Sequence, residues 1–265
     1  MRILVTNDDG IFSEGIKCLA EAMTELGEVI VVAPDREQSA TGRSLTLHRP
    51  LRLQKLREHW YSVDGTPTDC VNMAVQGVLK EKPPNLVVSG INYGANMGDD
   101  VTYSGTVSAA FEANMHHLPG VAFSQVIEEG FSFERAAGLA RDLIRELITK
   151  PLPKDLLLNV NFPPGACAGL RWTRLGKRYY EQSLIEKTDP SGRKYYWIAG
   201  TPRWELEEGT DQAATQSGFV SVTPLHLDLT DYRGLEESAP LRDRLEHLKF
   251  TGEAAGAGER AGAVE

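Results

Sequence analysis

Apolar and polar positions follow two alternating rhythms through the first two thirds of this chain. Ile3, Leu4 and Val5 sit in a β-rich run from Arg2 to Thr6. Ile16, Leu19, Ala20, Met23 and Leu26 then recur at helical spacing, and Gly27 stops them. Glu28 to Ala33 (EVIVVA) is almost continuously apolar, as a central parallel strand covered on both faces should be. After the polar loop PDREQSATGRS, Leu45 to Leu53 alternates Leu with polar residues and predicts a half-exposed strand paired with Trp60 to Val63. Thr66 is a fitting N-cap, with Pro67 at the first helical position and Asp69 three residues after the cap, so a helix runs from there to about Lys80.

The alternation continues. Asn85 to Ser89 is the next buried strand, followed by the glycine-rich loop GINYGANMGDD and the small-residue helix SGTVSAAFEANMHH. Val121 to Ser124 reads as a strand, Phe131 to Thr149 as a long helix and Leu156 to Val160 as a strand. Strands alternating with helices predict an α/β fold, a Rossmann-like doubly wound and mainly parallel sheet. Beyond Phe162 the pattern changes. Arg171 to Leu175, Tyr195 to Ala199 and Phe219 to Thr223 are β-branched or aromatic runs with hairpin character, and they predict an appended β-rich part. Tyr179, Tyr180, Tyr195, Tyr196 and Trp197 supply it with an apolar surface for contact with the main body or another subunit. The expected division is one domain over 1–250, with a core over about 1–162 and a β-rich extension with a C-terminal helix over about 163–250. The low-complexity stretch 251–265 is expected to be disordered. Its GxGxxA match (Gly256, Gly258, Ala261) has no strand before it and is no dinucleotide fingerprint.

Composition narrows the function classes. A net charge of −9 supplies no surplus of cations to displace phosphate counterions, which argues against stable nucleic-acid binding. Cys18, Cys70 and Cys167 are scattered and odd in number, as in a reducing compartment. The first residues read as a strand and no apolar run reaches membrane-spanning length, so a cytoplasmic protein without a membrane partner is expected.

In an open parallel sheet, ligands bind beyond the carboxyl ends of the strands. Three predicted loops lie there: TNDDG, APDREQSATGRS and SGINYGANMGDD. They offer carboxylates, amides and hydroxyls but no His or Cys, which suits a hard cation such as Mg²⁺ or Mn²⁺. Asp8 and Asp9 are adjacent, and like charges so close are tolerated when a divalent ion neutralises them; a solvated turn is the plainer alternative. Ser104, Gly105 and Thr106 open a helix, where free backbone N–H groups favour an anion such as phosphate; an ordinary N-cap is the alternative. A metal beside an anion pocket is what phosphate-ester hydrolysis requires. GxxxxGK[ST] and GxSxG are absent. His116 and His117 close a predicted helix, and the remaining histidines show no ligand spacing. Arg36, Arg43 and Arg49 either draw in an anionic substrate or form a solvated face, and Asp64 and Asp69 flank the Thr66 cap.

These loops, in this order, resemble the survival protein E (SurE) family of metal-dependent nucleotide phosphatases. The matching stretches are ILVTNDDG, VVAPDREQSATG, VDGTPTDCV, VVSGINYGANMGDDVTYSGTVSAA, NVNFP and GTDQAATQSGFVSVTPL. The resemblance implies that Asp8, Asp9, Ser39 and Asn92 hold one divalent ion per subunit. It further implies that Asn96 and the Ser104-Gly105-Thr106 turn grip phosphate, with Asp8 and Asp9 as the catalytic acids. The implied reaction is hydrolysis of nucleoside 5′- and 3′-monophosphates, with short polyphosphate as a further substrate, in a homodimer or homotetramer. A non-catalytic nucleotide or phosphate sensor on the same sheet would keep the phosphate turn without needing both acids. A phosphatase working through an aspartyl-phosphate would carry DxD after the first strand, whereas the acids here are adjacent. One position departs from the family pattern: Tyr103 stands before SGTV, where His is frequent.

Overall fold

The computed structural model describes residues 1–181, 184–198, 200–205 and 207–238. The first half runs β1 (Arg2–Thr6), α1 (Glu14–Met23), β2 (Glu28–Pro34), β3 (Leu53–Arg57), β4 (Trp60–Val63) and α2 (Pro67–Met73). It continues with β5 (Leu86–Tyr93), α3 (Gly105–Met115), β6 (Gly120–Gln125), α4 (Phe133–Leu147) and β7 (Leu157–Phe162). The later elements are β8 (Leu170–Trp172), β9 (Arg178–Glu181), β10 (Leu184–Thr188), β11 (Lys194–Ile198), β12 (Thr201–Trp204), α5 (Asp211–Gln216) and β13 (Val220–Pro224).

Among the described residues, nine strands form one sheet in the order β3-β4-β2-β1-β5-β6-β7-β13-β8. From β4 to β7 all neighbours are parallel. The chain steps from β1 to β2 on one side and later to β5 on the other, which places a topological switch point at the carboxyl end of β1. The continuous apolar runs follow from burial on both faces: β6 and β7 are buried at every residue. On one face, α1 and α4 cover Ile3, Val5, Val88 and Phe123; on the other, α2 and α3 cover Leu4, Val32 and Val87. Phe123 and Phe162 stack in the first layer, ring centroids 5.7 Å apart. Truncating either to Ala would cost about 3–5 kcal/mol.

The capping box forms at α2: Thr66 Oγ1 accepts from Asp69 N at 3.1 Å and Asp69 Oδ2 accepts from Thr66 N at 2.9 Å. The predicted helix is interrupted, ending as α at Met73 and continuing as a π-helical turn over Ala74–Val78. The strand expected over Leu45 to Leu53 is displaced to Leu53–Arg57, and Leu45 and Leu47 are exposed. The reason is local competition for hydrogen bonds. Asp69 takes Thr46 N at 3.0 Å and Thr46 Oγ1 at 2.6 Å, while Thr66 Oγ1 donates to Ser44 O at 2.8 Å.

The β-rich second part divides its strands. β13 lies antiparallel to β7, and β8 parallel to β13, so both complete the main sheet. β9–β12 and β10–β11 are two antiparallel ladders in one register, nested as a single arm. The expected aromatic surface is there: Tyr179, Tyr180, Tyr195, Tyr196 and Trp197 are all exposed. All of this belongs to a first compact unit, Met1–Leu227. In the second unit, Asp228–Glu265, one short helix is described, α6 (Tyr232–Glu237), with Asp231 Oδ1 accepting from Gly234 N at 2.8 Å. The predicted tail 251–265 lies outside the described residues. No helix among the described residues is long and apolar enough to cross a membrane, and all three cysteines are free.

Candidate active site

Strand β1 ends at Thr6, and Asn7 shapes the turn beyond it. Its amide donates to Gly10 O at 3.0 Å and to Ser13 Oγ at 2.8 Å, closing the loop that carries Asp8 and Asp9. The segment after β2 is laced to it, with Gln38 N donating to Asp8 O at 2.7 Å and Ile11 N to Pro34 O at 2.8 Å. Asp8 is only 4 % exposed. The Thr106 hydroxyl donates to its carboxylate, and Gly105 makes that approach possible, since a Cβ there would lie 2.8 Å from Asp8 Cβ.

Burial pushes the Asp8 carboxyl up to about 6, the Asp9 charge adds to the rise, and the Thr106 hydrogen bond opposes it. Asp9 is also raised by burial, although Tyr93 N donates to Asp9 Oδ2 at 3.0 Å. Among the described residues no basic side chain offsets either acid. Two desolvated acids with no cation between them are a costly arrangement, and a bound divalent ion would reverse the sign.

The oxygens around them suit such an ion. Asn92 donates its amide hydrogen to Gly94 O at 2.9 Å and keeps its carbonyl oxygen as the available ligand atom; the Ser39 hydroxyl donates to Glu37 Oε1 at 2.7 Å. No three His, Cys, Asp or Glu side chains gather as a metal group among the described residues. Two carboxylates with hydroxyl and amide oxygens beside them are a donor set whose chemistry would fit a hard divalent cation better than zinc.

Asp8, Ser39, Asn92, Asn96 and Ser104 line a common cavity of about 630 Å³. Asp9 adjoins it through Tyr93, and Gly105 and Thr106 adjoin it through Asp8. Ser104 is the N-cap of α3, its Oγ accepting from Val107 N at 3.1 Å. The first intrahelical bond is Ser108 N to Ser104 O, so the N–H groups of Gly105 and Thr106 precede the helical ladder. The Thr106 hydroxyl and backbone N–H both turn to the Asp8 carboxylate, so the N–H this turn leaves for an anion is that of Gly105. Tyr103, Tyr180 and Ile198 form apolar wall, the last two reaching the cavity from the arm. Tyr103, the departing position, lines the cavity and is 67 % exposed, and its carbonyl accepts from Gly42 N at 3.0 Å.

The other candidates sit elsewhere. Arg36, Arg43 and Arg49 face Asp35, Glu112 and Asp64 at 3.6, 3.8 and 3.2 Å, and none of the three lines the cavity. Asp69 caps α2, and Asp64 is held low by the hydrogen bond from Arg52 N. His116 Nε2 meets Asn72 Oδ1 at 2.9 Å beside Glu112.

Sequence reasoning missed the support beneath Asn96. Asn161 Oδ1 accepts from Asn96 N at 2.9 Å, the Asn159 and Asn161 amides donate to Asn96 O at 2.8 and 3.0 Å, and Asn96 Nδ2 donates to Ser124 Oγ at 2.9 Å. The signal was NVNF: amides two residues apart, on one face of an otherwise apolar strand.

A model of the family described as Survival protein SurE matches residues 3–182. The 5'-nucleotidase SurE of Syntrophotalea carbinolica is 52% identical over 242 residues, which cover 89% of this chain and 95% of that relative. The 5'-nucleotidase SurE of Aquifex aeolicus is 46% identical over 245 residues, covering 91% and 98%. The crystal structure of the SurE protein from Aquifex aeolicus aligns with a TM-score of 0.82 at 45% identity, over 92% of this chain and all of that one.

Proposed function

The chain belongs to the survival protein SurE family, and on that premise we propose that it hydrolyses nucleoside 5′-monophosphates to nucleoside and phosphate with a divalent cation bound. Relatives named 5'-nucleotidase SurE support the reaction class. The observation that carries the site is the Asp8–Asp9 pair, both acids raised by burial, set against the N-terminus of α3 at the mouth of β1.

Asp8, Asp9, Ser39 and Asn92 would hold one Mg²⁺ or Mn²⁺ per subunit. When bound, the ion polarises the phosphoryl group and makes a coordinated water more acidic. The chain's own residues do the rest. The Ser104–Gly105–Thr106 turn, through the Gly105 N–H, and the Asn96 amide hold phosphate oxygens where charge builds. Asn159, Asn161 and Ser124 keep Asn96 oriented. Asp8 or Asp9 takes the proton from the attacking water. Tyr103 and Tyr180 give the nucleoside an apolar wall. The family resemblance extends the proposal to nucleoside 3′-monophosphates, short polyphosphate, a cytoplasmic location, and a homodimer or homotetramer assembled through the exposed arm.

The test is phosphate release from a panel of nucleotides in EDTA and in added Mn²⁺ or Mg²⁺. Activity should require the cation, and Asp9→Asn should remove most of it while circular dichroism shows an intact fold. Wild-type rates in EDTA, or near wild-type rates for Asp9→Asn, would sink the proposal. Binding of nucleotide without turnover would favour the sensor.

A further inference from the structure

Asp211 opens α5 and is fully buried, with its carboxyl raised by that burial. Its partners are all backbone. Oδ2 accepts from Gly98 N at 2.9 Å, and Oδ1 accepts from Gly176 N at 2.9 Å and Gln212 N at 2.8 Å. Hydrogen bonds to a charged acceptor are roughly twice as strong as neutral ones. Gly98 follows Asn96 by two residues and begins the 3₁₀ turn Gly98–Thr102, which leads directly into Tyr103 and Ser104. It sits at φ +57°, and a Cβ there would lie 2.8 Å from Gly176 O, so two distant backbones are in contact.

The junction continues outward. Asp99 Oδ2 accepts from Arg178 N at 3.0 Å; Asp100 takes the Arg178 guanidinium and the Tyr180 hydroxyl, the latter at 2.7 Å. Arg178 also lies over the Trp204 ring, 4.9 Å from its centroid. One buried carboxylate thus fastens the loop between Asn96 and Ser104, and that loop in turn holds the foot of the arm that walls the cavity.

We propose that Asp211 is a positioning residue for nucleotide binding, acting through Gly98 on the cavity wall between Asn96 and Ser104; this rests on the reading of the cavity as the nucleotide site. Asp211→Asn separates its links. The amide oxygen stays with the two donors, Gly176 and Gln212, and the NH₂ group turns against Gly98 N–H, so the Gly98 link alone is lost. The expected result is a KM for nucleoside monophosphate raised about tenfold with kcat nearly unchanged, the signature of lost uniform binding. Amide hydrogen exchange over 94–103 should quicken while exchange over 170–176 stays as in wild type.

Gly98→Ala attacks the same junction from the other side and should reproduce the KM rise if Asp211→Asn does not fold. Thr173→Val is the comparator. It removes a buried 2.7 Å hydroxyl pair with Thr223 of β13, one residue past β8, and leaves the Asp211–Gly98 bond in place, so it should lower Tm without changing KM. Wild-type KM and exchange in Asp211→Asn, or an equal KM rise in Thr173→Val, would overturn the proposal. If the wild-type protein turns over no nucleotide, the functional reading falls, whereas the exchange measurement still decides the role of Asp211.

Discussion

Gly105→Ala is a substitution whose two local effects have opposite signs. Gly105 is the first residue of α3, and replacing a helical Gly by Ala ordinarily stabilises by about 0.5–1 kcal/mol. Here the new methyl would stand 2.8 Å from Asp8 Cβ, 2.9 Å from Asp8 Oδ2 and 3.2 Å from Asp8 Cγ. Asp8 has nowhere to retreat, because its carbonyl accepts from Gln38 N and its carboxylate is held by Thr106. Overpacking of this kind costs about 1–3 kcal/mol, so the net effect runs from about zero to a loss of about 2.5 kcal/mol. For a chain of this size that lowers Tm by up to about 10 °C. Activity should fall much further, by about 100-fold, because a misplacement of about an ångström at a reacting centre has that effect. The assay is phosphate release over a Mn²⁺ titration, in which half-saturation should also move upward. Gly138→Ala is the internal control. Nothing lies within 4 Å of its new methyl, so Tm should rise by about 1–4 °C with activity unchanged. If Gly105→Ala keeps activity within twofold of wild type at an unchanged Mn²⁺ requirement, Asp8 does not need to sit in one place and the reasoning is refuted.

Two further outcomes are expected. The Asp8 carboxyl rises from 3.8 to about 6 on folding, so without an ion its contribution is fully stabilising below about 3.8 and is lost as pH climbs through about 6. That loss is about 3 kcal/mol by neutral pH, and a divalent ion should recover it. Thermal shift with Mn²⁺ should therefore be larger at pH 7.5 than at pH 5, and equal shifts at both would refute the assignment. Thr66→Ala breaks the capping box and the bond to Ser44 O, which should destabilise by about 1–2 kcal/mol; an unchanged urea midpoint would show that neither bond matters.

The strands of the parallel core were legible because burial on both faces leaves a plain signal, a short continuous run of β-branched and aliphatic residues. EVIVVA and NLVVS each became a strand within a few residues of the expected place. The Thr66 cap was legible because a capping box is local chemistry within four residues. Leu45 to Leu53 misled because its alternation is real but the Thr46 N–H goes to Asp69 and the adjoining Ser44 carbonyl to Thr66, residues that alternation does not register. β8 and β13 read as part of an appendage, since nothing in a short aromatic or β-branched run says which sheet edge it will join.

From the residues alone came the alternating α/β order, the oxygen-rich loops at the strand ends and the adjacency of Asp8 and Asp9. These depend on periodicity and on neighbours in the chain. Only the folded chain put Thr106 and Gly105 against Asp8, amides from β7 beneath Asn96, and Asp211 beside Gly98. Those are contacts across 98, 65 and 113 residues, and they exist because sheet order and helix packing, not chain order, decide which backbones meet.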